Sequence, residues 1–524
     1  MFVYTVFCMK NTFYVTTPIF YANDAPHMGH IYTTVLADII ARYHRMVGKE
    51  TFFLTGTDEH GDKIIRSATA TGKGPQAFVD ANVLKFKELF SSLDISYDFF
   101  IRTSDQENHW PGAKAVWTKL VAAGDIYKGT YRGLYCVGCE TFITEKELVS
   151  GKCPLHDTIP ERIEEENYFF RLSKYTNEIR EKIENGDIAI FPQARRNETL
   201  ALLSNDPVDV SFSRPEGDIP WGIPVPNDNG QMIYVWCDAL SNYLSALGFG
   251  RDDHENFDKF WPADVHVIGK DISRFHTVIW PAMLLSAGIP LPKTILIHGF
   301  ITSRGKKMSK TIGNVVDPNQ YIAEFGSDSM RYYLAREIPT TEDGDFTYER
   351  FVELYNANLA NGLGNLVSRT LKMAERYFSG SVMKNTIGDI PLRTKLEKVS
   401  CVANGEGYGI PYVIDNMFLP AYHKSMESFD INGAMDEIWK IIRTLDGYIA
   451  DYEPFKLIKT DKEKTENIIW GVLYGLYYVS SALAPVMPRT AGSISGFLRA
   501  SLDKEGKPRA FKTESPSAPL FARK

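Results

Sequence analysis

Two histidines stand near the start of the chain, where a predicted strand leads into a predicted helix. β-Branched and aromatic residues predict a strand over 14–20, and apolar residues at helical spacing predict a helix over 30–46. The turn between them ends in His27-Met28-Gly29-His30. Because a helix N-terminus attracts anions, these imidazoles could donate hydrogen bonds to phosphate oxygens while Gly29 admits the ligand to the backbone. The same residues also fit a helix start with incidental histidines.

A carboxylate follows the next predicted strand, which covers residues 50–56 and ends in Thr57-Asp58-Glu59-His60. Polar side chains at the carboxyl end of a strand lie where open α/β sheets bind ligands. Asp58 is therefore a candidate for holding the ammonium group of a substrate. An N-cap for the following helix is an equally good interpretation.

Three cysteines and a histidine form two short pairs, Cys136-x2-Cys139 and Cys153-x2-His156, with thirteen residues between them. This spacing supplies four ligands for tetrahedral zinc. Because all four positions are filled by protein, the predicted site is structural; the alternative is a set of unliganded thiols. Six cysteines in 524 residues give no disulfide framework and favour a reducing compartment.

Aromatic residues recur in the middle of the chain. A helix predicted over 272–287 carries Ile272, His276 and Trp280 four residues apart, hence on one face. With Tyr21 and with Trp236, at the end of a strand predicted over 231–236 in the same sheet, they could wall an apolar pocket. Ordinary helix packing is the alternative.

A loop with three lysines, Thr302–Thr311, follows an apolar run over 295–301. It contains Gly305, Lys306, Lys307 and Lys310, and flexible ammonium groups of this kind can clamp a polyphosphate. A plain basic surface loop would have the same composition.

The length suggests about three structural units. Residues 190–230 are predicted to form a connection, and beyond Tyr348 the pattern is helical, up to a polar tail of twenty residues expected to trail along the surface. The net charge of −7 argues against bulk attraction to nucleic acid, although residues 351–524 carry 22 Lys and Arg against 19 Asp and Glu. No apolar run is long enough for a membrane span. Residues 1–9 make a poor signal peptide, and Met9 is an alternative start.

The order of these motifs resembles that of the class I aminoacyl-tRNA synthetases, whose paired signature is matched by His27-Met28-Gly29-His30 and Lys307-Met308-Ser309-Lys310-Thr311. Within that class the chain is similar, almost from end to end, to the methionyl-tRNA synthetase family. The matching blocks, in order, are TTPIFYANDAPHMGH, FLTGTDEHG, CVGC with CPLH, YVWCDALSNY, VIGKDISRFHTVIWPAM and HGFITSRGKKMSKTIGN, followed by the helical C-terminal third.

The resemblance implies a Rossmann-like α/β catalytic domain with a parallel sheet, interrupted by a zinc-knuckle insertion and followed by an α-helical anticodon-binding bundle. The implied boundaries are 1–115 and 231–348 for the two halves of the catalytic domain, 116–230 for the insertion and 349–524 for the bundle. The implied protein is a cytoplasmic monomer that activates L-methionine with ATP and Mg²⁺, holds one structural Zn²⁺, and charges tRNA(Met) for translation initiation and elongation.

Family roles transfer by motif position. His27, His30, Lys307 and Lys310 would be catalytic, and His27, Gly29, His30, Asp271 and Lys310 would bind ATP, Asp271 at the ribose. The methionine site would comprise Ile19, Tyr21, Asp58, Trp236, Ala239, Leu240, Tyr243, Ile272, His276 and Trp280, with Asp58 at the ammonium group. Asn365, Arg369 and Phe455 would meet the anticodon, and Cys136, Cys139, Cys153 and His156 would hold the metal.

Three residues depart from the family pattern: Met28 replaces Ile, Thr311 replaces Ser, and Phe455 replaces a frequent Trp. Phe455 can still stack on a base but lacks the indole N–H, and residues 391–413 match no part of the family. Leucine, isoleucine and valine enzymes are the nearest alternatives, but the connective piece, about 115–230, is too short for their editing insertion. A catalytically silent tRNA-binding relative is the other alternative, which the intact His27, His30, Asp58 and Lys310 disfavour.

Overall fold

The structure, a computed structural model, describes residues 11–139, 141–143, 145–154, 157–205, 207–308, 314, 316–393, 402–403 and 406–524. The chain divides into two compact units, Lys10–Phe300 and a unit that includes Ile301–Lys524. Residues 301–348, assigned by the sequence to the catalytic half, thus cluster with the helical C-terminal region. No helix of the described ranges combines the length and apolar character that a membrane span requires.

In the unit Lys10–Phe300 the strands are β1 (Thr12–Thr16), β2 (Phe20–Tyr21), β3 (Glu50–Asp58), β4 (Phe99–Arg102), β5 (Ile126–Cys136), β6 (Thr141–Ile143), β7 (Glu161–Phe170), β8 (Ala189–Phe191), β9 (Val210–Ser211), β10 (Ser213–Pro215), β11 (Pro224–Val225), β12 (Asp228–Ile233), β13 (Val265–Gly269) and β14 (Thr294–His298). The helices are α1 (Met28–Met46), α2 (Asp62–Ala70), α3 (Pro75–Ser92), α4 (Trp110–Ala122), α5 (Thr176–Glu184), α6 (Gln193–Leu203), α7 (Val235–Leu240), α8 (Asn242–Ser245), α9 (Glu255–Phe260) and α10 (Trp280–Ala287).

A parallel sheet forms the core of this unit. Its order in the described part of the chain is β2-β3-β1-β13-β14-β8, and β4 also pairs with β3. The predicted strand over 14–20 is split into β1 and β2, since Pro18 has no N–H to donate to a ladder. Apolar helices cover the sheet, and the core includes Tyr14, Leu54, Trp280 and Ile295.

The insertion is built on a long antiparallel ladder. β5 pairs with β7 from Ile126 opposite Phe170 to Tyr135 opposite Glu161. The prediction of a plain connection over 190–230 is wrong at its start, because β8 joins the parallel sheet beside β14 and α6 follows it. Three residues of a strand are too few for a sequence pattern to reveal.

Two further predictions are corrected around the aromatic residues. The strand expected over 231–236 ends at Ile233 and pairs antiparallel with β10 and β11, outside the parallel sheet, so Trp236 lies on α7. The helix expected from 272 opens with a 3-10 turn, Lys270–Ile272, and a π turn, Phe275–Ile279, before α10. Pro281 explains the irregularity, because it cannot donate to a carbonyl in the preceding turn.

The unit Ile301–Lys524 is mainly helical: α11 (Pro318–Phe325), α12 (Ser327–Arg336), α13 (Tyr348–Leu354), α14 (Asn365–Phe378), α15 (Ile410–Val413), α16 (Leu419–Glu427), α17 (Ile431–Tyr452), α18 (Pro454–Leu457), α19 (Lys462–Leu483) and α20 (Pro488–Phe497), with π segments at Tyr355–Gly364 and Ile414–Phe418. Its strands are β15 (Ile301–Ser303), β16 (Lys306–Lys307), β17 (Gly344–Asp345), β18 (Ser381–Met383), β19 (Val402–Ala403), β20 (Glu406–Gly407), β21 (Leu498–Leu502) and β22 (Pro508–Thr513).

The end of the chain does not trail along the surface as predicted. β22 lies between β18 and β21 in a small antiparallel sheet, and its Phe511 is buried. Phe521 is also buried and packs edge-on against Tyr355. Widely spaced aromatic residues thus attach a polar segment to the helices.

Candidate active site

The helix N-terminus after β1 is capped by the two signature histidines. His27 is the N-cap residue of α1: its Nδ1 accepts from the N–H of Gly29 at 3.1 Å, and the His27 N–H donates to Nδ1 of His30 at 3.2 Å. The two rings stack with their centroids 3.8 Å apart. Because each Nδ1 accepts a backbone proton, Nε2 is the protonated nitrogen of each neutral ring and can donate to an anion.

The pKa of His30 and the limited space beside Gly29 fit the same arrangement. Burial, His27 and Lys63 together hold the pKa of His30 well below its ordinary value, so the ring is neutral near pH 7. A side chain at position 29 would bring its Cβ within 3.0 Å of Cε1 of His27. A larger residue at this position would therefore push the His27 ring away from the helix start by a few tenths of an ångström.

The carboxyl edge of the sheet brings the predicted amino-acid ligands together. β2 pairs with the end of β3, so that Tyr21 stands opposite Asp58 in the ladder. Asp58 is buried, while Ile19 and Tyr21 are half-buried against the main core. Asp271 is exposed in the 3-10 turn after β13. These strand ends adjoin the point where the chain reverses its direction of travel across the sheet, the usual ligand position in this architecture.

A buried aromatic cluster forms around Tyr243. The Tyr243 hydroxyl donates to Nε2 of His276 at 2.6 Å, and Nδ1 of that ring donates to the Ile272 carbonyl at 3.0 Å. The buried Trp280 lies 5.7 Å from the Tyr243 ring, centroid to centroid. Burial lowers the pKa of His276 to about 4, so the ring stays neutral and its tautomer is fixed by these two bonds.

A second set of hydrogen bonds connects this aromatic cluster to β1. Trp280 Nε1 donates to Nε2 of His266 at 3.3 Å, so Nδ1 of His266 carries the proton and donates to Thr16 Oγ1 at 2.8 Å. Leu240 and Tyr243 belong to the same core, and Ala239 is buried beside Leu240 on α7. His276 and Trp280, four residues apart, thus both pack against Tyr243 although the helix is irregular there.

One aromatic residue of this region escaped the sequence reasoning. Phe275 stacks on Trp236 with ring centroids 3.5 Å apart and an interplanar angle of 6°. The π turn places Phe275 beside the residue on α7, whereas a regular helix pattern gave no reason to select it. Its aromatic character directly before His276 was the available signal.

The three cysteines of the knuckle meet as predicted. The Sγ atoms of Cys136, Cys139 and Cys153 all lie within 4.8 Å of one another, and those of Cys139 and Cys153 are 3.5 Å apart. Such separations suit thiolates around one tetrahedral ion with metal–sulfur bonds of about 2.3 Å. Burial and the neighbouring sulfurs raise the pKa of Cys139, so a divalent cation is what would hold these groups as thiolates. His156, the predicted fourth ligand, lies outside the described residues.

The lysine loop begins as a hairpin. β15 and β16 pair with Thr302 opposite Lys307, and the turn uses Arg304 and Gly305, both with positive φ. Gly305 N–H donates to Asp345 Oδ1 at 2.8 Å, which anchors the turn. Lys310 and Thr311 lie outside the described residues.

The predicted anticodon residues lie on the helical unit. Asn365 is exposed at the start of α14, and Arg369, one turn later, forms an ion pair with Asp446 of α17. Phe455 is 47% exposed and lies two residues after Glu453, the positive-φ residue that turns the chain between α17 and α18. An exposed phenylalanine on such a turn is available for stacking.

Comparison with known proteins agrees with this geometry. The sequence model of the family described as tRNA synthetases class I (M) matches residues 13–159 and 145–371. A parallel α/β sheet with a histidine-capped helix after its first strand, followed by a helical region, is the architecture of a class I aminoacyl-tRNA synthetase.

Individual relatives narrow the assignment. The chain is 42% identical over 500 residues to the methionine–tRNA ligase of Thermotoga maritima, covering 94% of this chain and 76% of the relative. It is 43% identical over 484 residues to that of Caldanaerobacter subterraneus subsp. tengcongensis, covering 92% and 73%. The chain therefore belongs to the methionine branch of the class I tRNA synthetases.

Solved structures give the same result. Mycobacterium tuberculosis methionyl-tRNA synthetase in complex with methionyl-adenylate superposes with a TM-score of 0.90 at 36% identity, covering 98% of this chain and 100% of the other. The apo form of that enzyme superposes with a TM-score of 0.82 at 33% identity, covering 98% of each chain.

Proposed function

We propose that this chain is a methionine–tRNA ligase, which activates L-methionine with ATP and transfers the methionyl group to the 3′ end of tRNA(Met). The observation that carries the proposal is the ladder that sets Tyr21 opposite the buried Asp58 at the carboxyl edge of the sheet. The names of the relatives and the methionyl-adenylate bound to the M. tuberculosis enzyme support it.

The amino acid would be held at both ends. The Asp58 carboxylate accepts hydrogen bonds from the substrate ammonium group. Ile19, Tyr21 and Ala239 line the part of the pocket between Asp58 and a wall of aromatic residues. Tyr243, Trp280 and the stacked pair of Trp236 and Phe275 suit a thioether, because a flexible, polarizable sulfur makes favourable contacts with aromatic rings. Leu240, Ile272 and His276 complete the wall.

ATP would bind at the helix cap. Nε2–H of His27 and Nε2–H of His30 donate to phosphate oxygens, Gly29 leaves the backbone open, and Asp271 accepts from a ribose hydroxyl. Lys307 and Lys310, from the loop 305–311, add positive charge where the departing pyrophosphate develops negative charge. Preorganised donors of this kind stabilise the transition state more than the ground state.

The reaction has two transfers. A carboxylate oxygen of methionine attacks the α-phosphorus of ATP, the bond from that phosphorus to the bridging oxygen breaks, and pyrophosphate leaves with Mg²⁺ as its counterion. The terminal ribose hydroxyl of tRNA then attacks the carbonyl carbon of methionyl-adenylate, losing its proton as AMP departs. Neither transfer requires a covalent bond to the protein.

The remaining assignments are proposals of the same kind. Cys136, Cys139, Cys153 and His156 would hold one structural Zn²⁺, and Asn365, Arg369 and Phe455 would contact the anticodon. We also propose that the enzyme acts in the cytoplasm, since reduced thiols fit a reducing compartment. We further propose that it acts as a monomer.

Methionine-dependent exchange of pyrophosphate into ATP tests the activation step. We expect exchange with methionine and little with leucine, isoleucine or valine, followed by charging of tRNA(Met) transcript. Preference for one of the other amino acids would assign the chain to a sister enzyme. If none of the amino acids supports exchange and the protein still binds tRNA, the chain is the catalytically silent relative.

A further inference from the structure

A buried carboxylate that none of the assigned roles uses lies beside the amino-acid pocket. Asp238 of α7 is 1% exposed, and its two oxygens contact two different histidines. Oδ2 lies 2.6 Å from Nδ1 of His60, and Oδ1 lies 2.6 Å from Nε2 of His109. Both rings are also buried.

The proton positions in this network follow from the partners. An ionised carboxylate only accepts, so Nδ1 of His60 and Nε2 of His109 both carry protons and donate. Burial by itself would raise the pKa of Asp238, but His60 and His109 outweigh it and hold that pKa below its ordinary value. Nδ1 of His109 lies 2.8 Å from the Ser245 hydroxyl, so the network continues to α8.

Three of the four members of the network belong to segments that carry a proposed pocket residue. His60 is two residues after Asp58 on the strand-end loop, Asp238 lies between Trp236 and Ala239 on α7, and Ser245 shares α8 with Tyr243. The fourth member, His109, connects Ser245 to Asp238.

The contact through His109 is close as well as polar. His109 is the N-cap residue of α4, and Gly112 of that helix lies so near α8 that an added Cβ would be 2.5 Å from Cβ of Ser245. This close packing of α4 against α8 holds His109 beside Ser245.

We propose that Asp238 is a positioning residue for methionine: by bridging His60 and His109 it sets the distance between the ammonium site at Asp58 and the side-chain pocket on α7 and α8. This inference rests on the proposed function. An amino acid held at both ends binds well only when the two sites are correctly spaced, so an error of spacing weakens methionine binding more than ATP binding.

The test is pyrophosphate exchange by full-length Asp238→Ala, with KM measured separately for methionine and for ATP. We expect KM for methionine to rise about tenfold or more and KM for ATP to stay within about twofold of the unaltered protein. If the inference is wrong, the folded variant keeps its KM for methionine, or both KM values rise together.

Asp328→Ala is the matched control for a lost buried carboxylate. Asp328 is 6% exposed and accepts from the N–H of Thr490 at 2.6 Å, in the helical unit Ile301–Lys524. We expect it to lower the melting temperature while KM for methionine stays within about twofold, because no residue assigned to the methionine site belongs to that unit. A tenfold rise in this control would reduce the effect at Asp238 to general destabilisation and overturn the inference.

Substitutions of His60 decide the question if Asp238→Ala does not fold. In His60→Asn the amide nitrogen takes the place of Nδ1 and can still donate to Asp238, whereas His60→Ala removes the donor. KM for methionine should rise in the alanine variant and stay within about threefold in the asparagine variant; equal effects would contradict the inference. Failure of the proposed function is distinguishable, because the unaltered protein would then show no methionine-dependent exchange.

Discussion

The hydroxyl of Tyr243 donates to Nε2 of His276 over 2.6 Å, while the other nitrogen of the ring donates to the Ile272 carbonyl. The orientation of this buried imidazole is therefore set from both sides. Replacing Tyr243 by Phe leaves a buried imidazole nitrogen without its donor, which costs about 1–3 kcal/mol. We expect KM for methionine in pyrophosphate exchange to rise about tenfold with little change in KM for ATP.

A matched substitution separates the pocket from the fold. Tyr422 is equally buried, in the helical unit, and donates to the Ala482 carbonyl at 2.9 Å. Tyr422→Phe should lower stability by a similar amount and leave KM for methionine unchanged. If both tyrosines gave the same kinetic change, the hydroxyl of Tyr243 would have no special part in methionine binding.

Lys310→Ala should slow adenylate formation by a factor of about 10² or more, because it removes a donor used in the transition state. Single-turnover measurements with saturating methionine and ATP give this rate directly. Lys440→Ala, which removes an exposed lysine paired with Glu437 on α17, should be without effect on it. Normal activation by the Lys310 variant would refute the role.

Zinc removal should lower the melting temperature and, with it, activity, since the ion would join the turns at Cys136 and Cys153 and take no part in the transfers. Metal analysis of purified protein should find about one zinc per chain. Cys139→Ser should lose the metal, whereas Cys237→Ala should retain it, since Cys237 is buried on α7 away from the three clustered thiols. Absence of zinc from the unaltered protein would contradict the assignment.

Stability should fall as the pH falls below about 6.5. Burial, assisted at His44 by Lys49, lowers the pKa of His44 to about 3, and burial lowers those of His276 and His298 to about 4. Between pH 6.5 and 4 the unfolded chain takes up protons that the folded chain does not. Each such histidine then reduces the free energy of unfolding by up to about 1.4 kcal/mol for every pH unit below 6.5. Above pH 6.5 the ring is neutral in both states, so this loss of stability is absent.

Urea denaturation between pH 7 and 4 measures this slope. His44→Leu should make it shallower by about one proton, because His44 is buried against Phe13 and has no role in the site. His254→Ala, at an exposed position, should leave it unchanged. A slope that His44→Leu does not alter would show that this ring is charged in the folded state.

Phe455→Ala should weaken charging of tRNA(Met) while leaving methionine-dependent exchange intact, because base stacking is worth about 1–3 kcal/mol and exchange needs no tRNA. This corresponds to a loss of about 5- to 150-fold in kcat/KM for tRNA. Phe455→Trp should retain charging, and Leu502→Ala, at another exposed apolar position, should not affect it. Equal loss of exchange and charging in Phe455→Ala would contradict an anticodon role.

Local patterns were enough to predict much of the fold. The strand at 50–58 and the helix α1 follow from their own residues, because an apolar run predicts the strand and apolar residues at helical spacing predict the helix. The helical character beyond Tyr348 follows in the same way. Short strands such as β8 and β22 escaped prediction, since their pairing depends on distant partners more than on their own residues. The strand expected to end at Trp236 was misplaced for the same reason.

The site shows a similar division. His27, His30 and Asp58 could be selected because each stands at the end of an element, where the sequence marks a ligand position. Phe275 and Asp238 could not, since their roles arise from a π turn and from contacts with residues over a hundred positions away. Sequence motifs thus selected the groups that we propose to face the substrates, whereas the groups packed behind them could be found only from the three-dimensional structure.

The histidine cap on α1 has a consequence for the proton balance of nucleotide binding. Both imidazoles already use Nδ1 to accept backbone protons, so they would meet phosphate oxygens as neutral donors and take up no proton. The heat of ATP binding to this site should therefore be independent of the ionisation enthalpy of the buffer near neutral pH. Positive charge for the phosphates would come from lysine and from the Mg²⁺ that accompanies the nucleotide, neither of which changes its charge near neutral pH, so the protein could hold ATP without depending on the acidity of its surroundings.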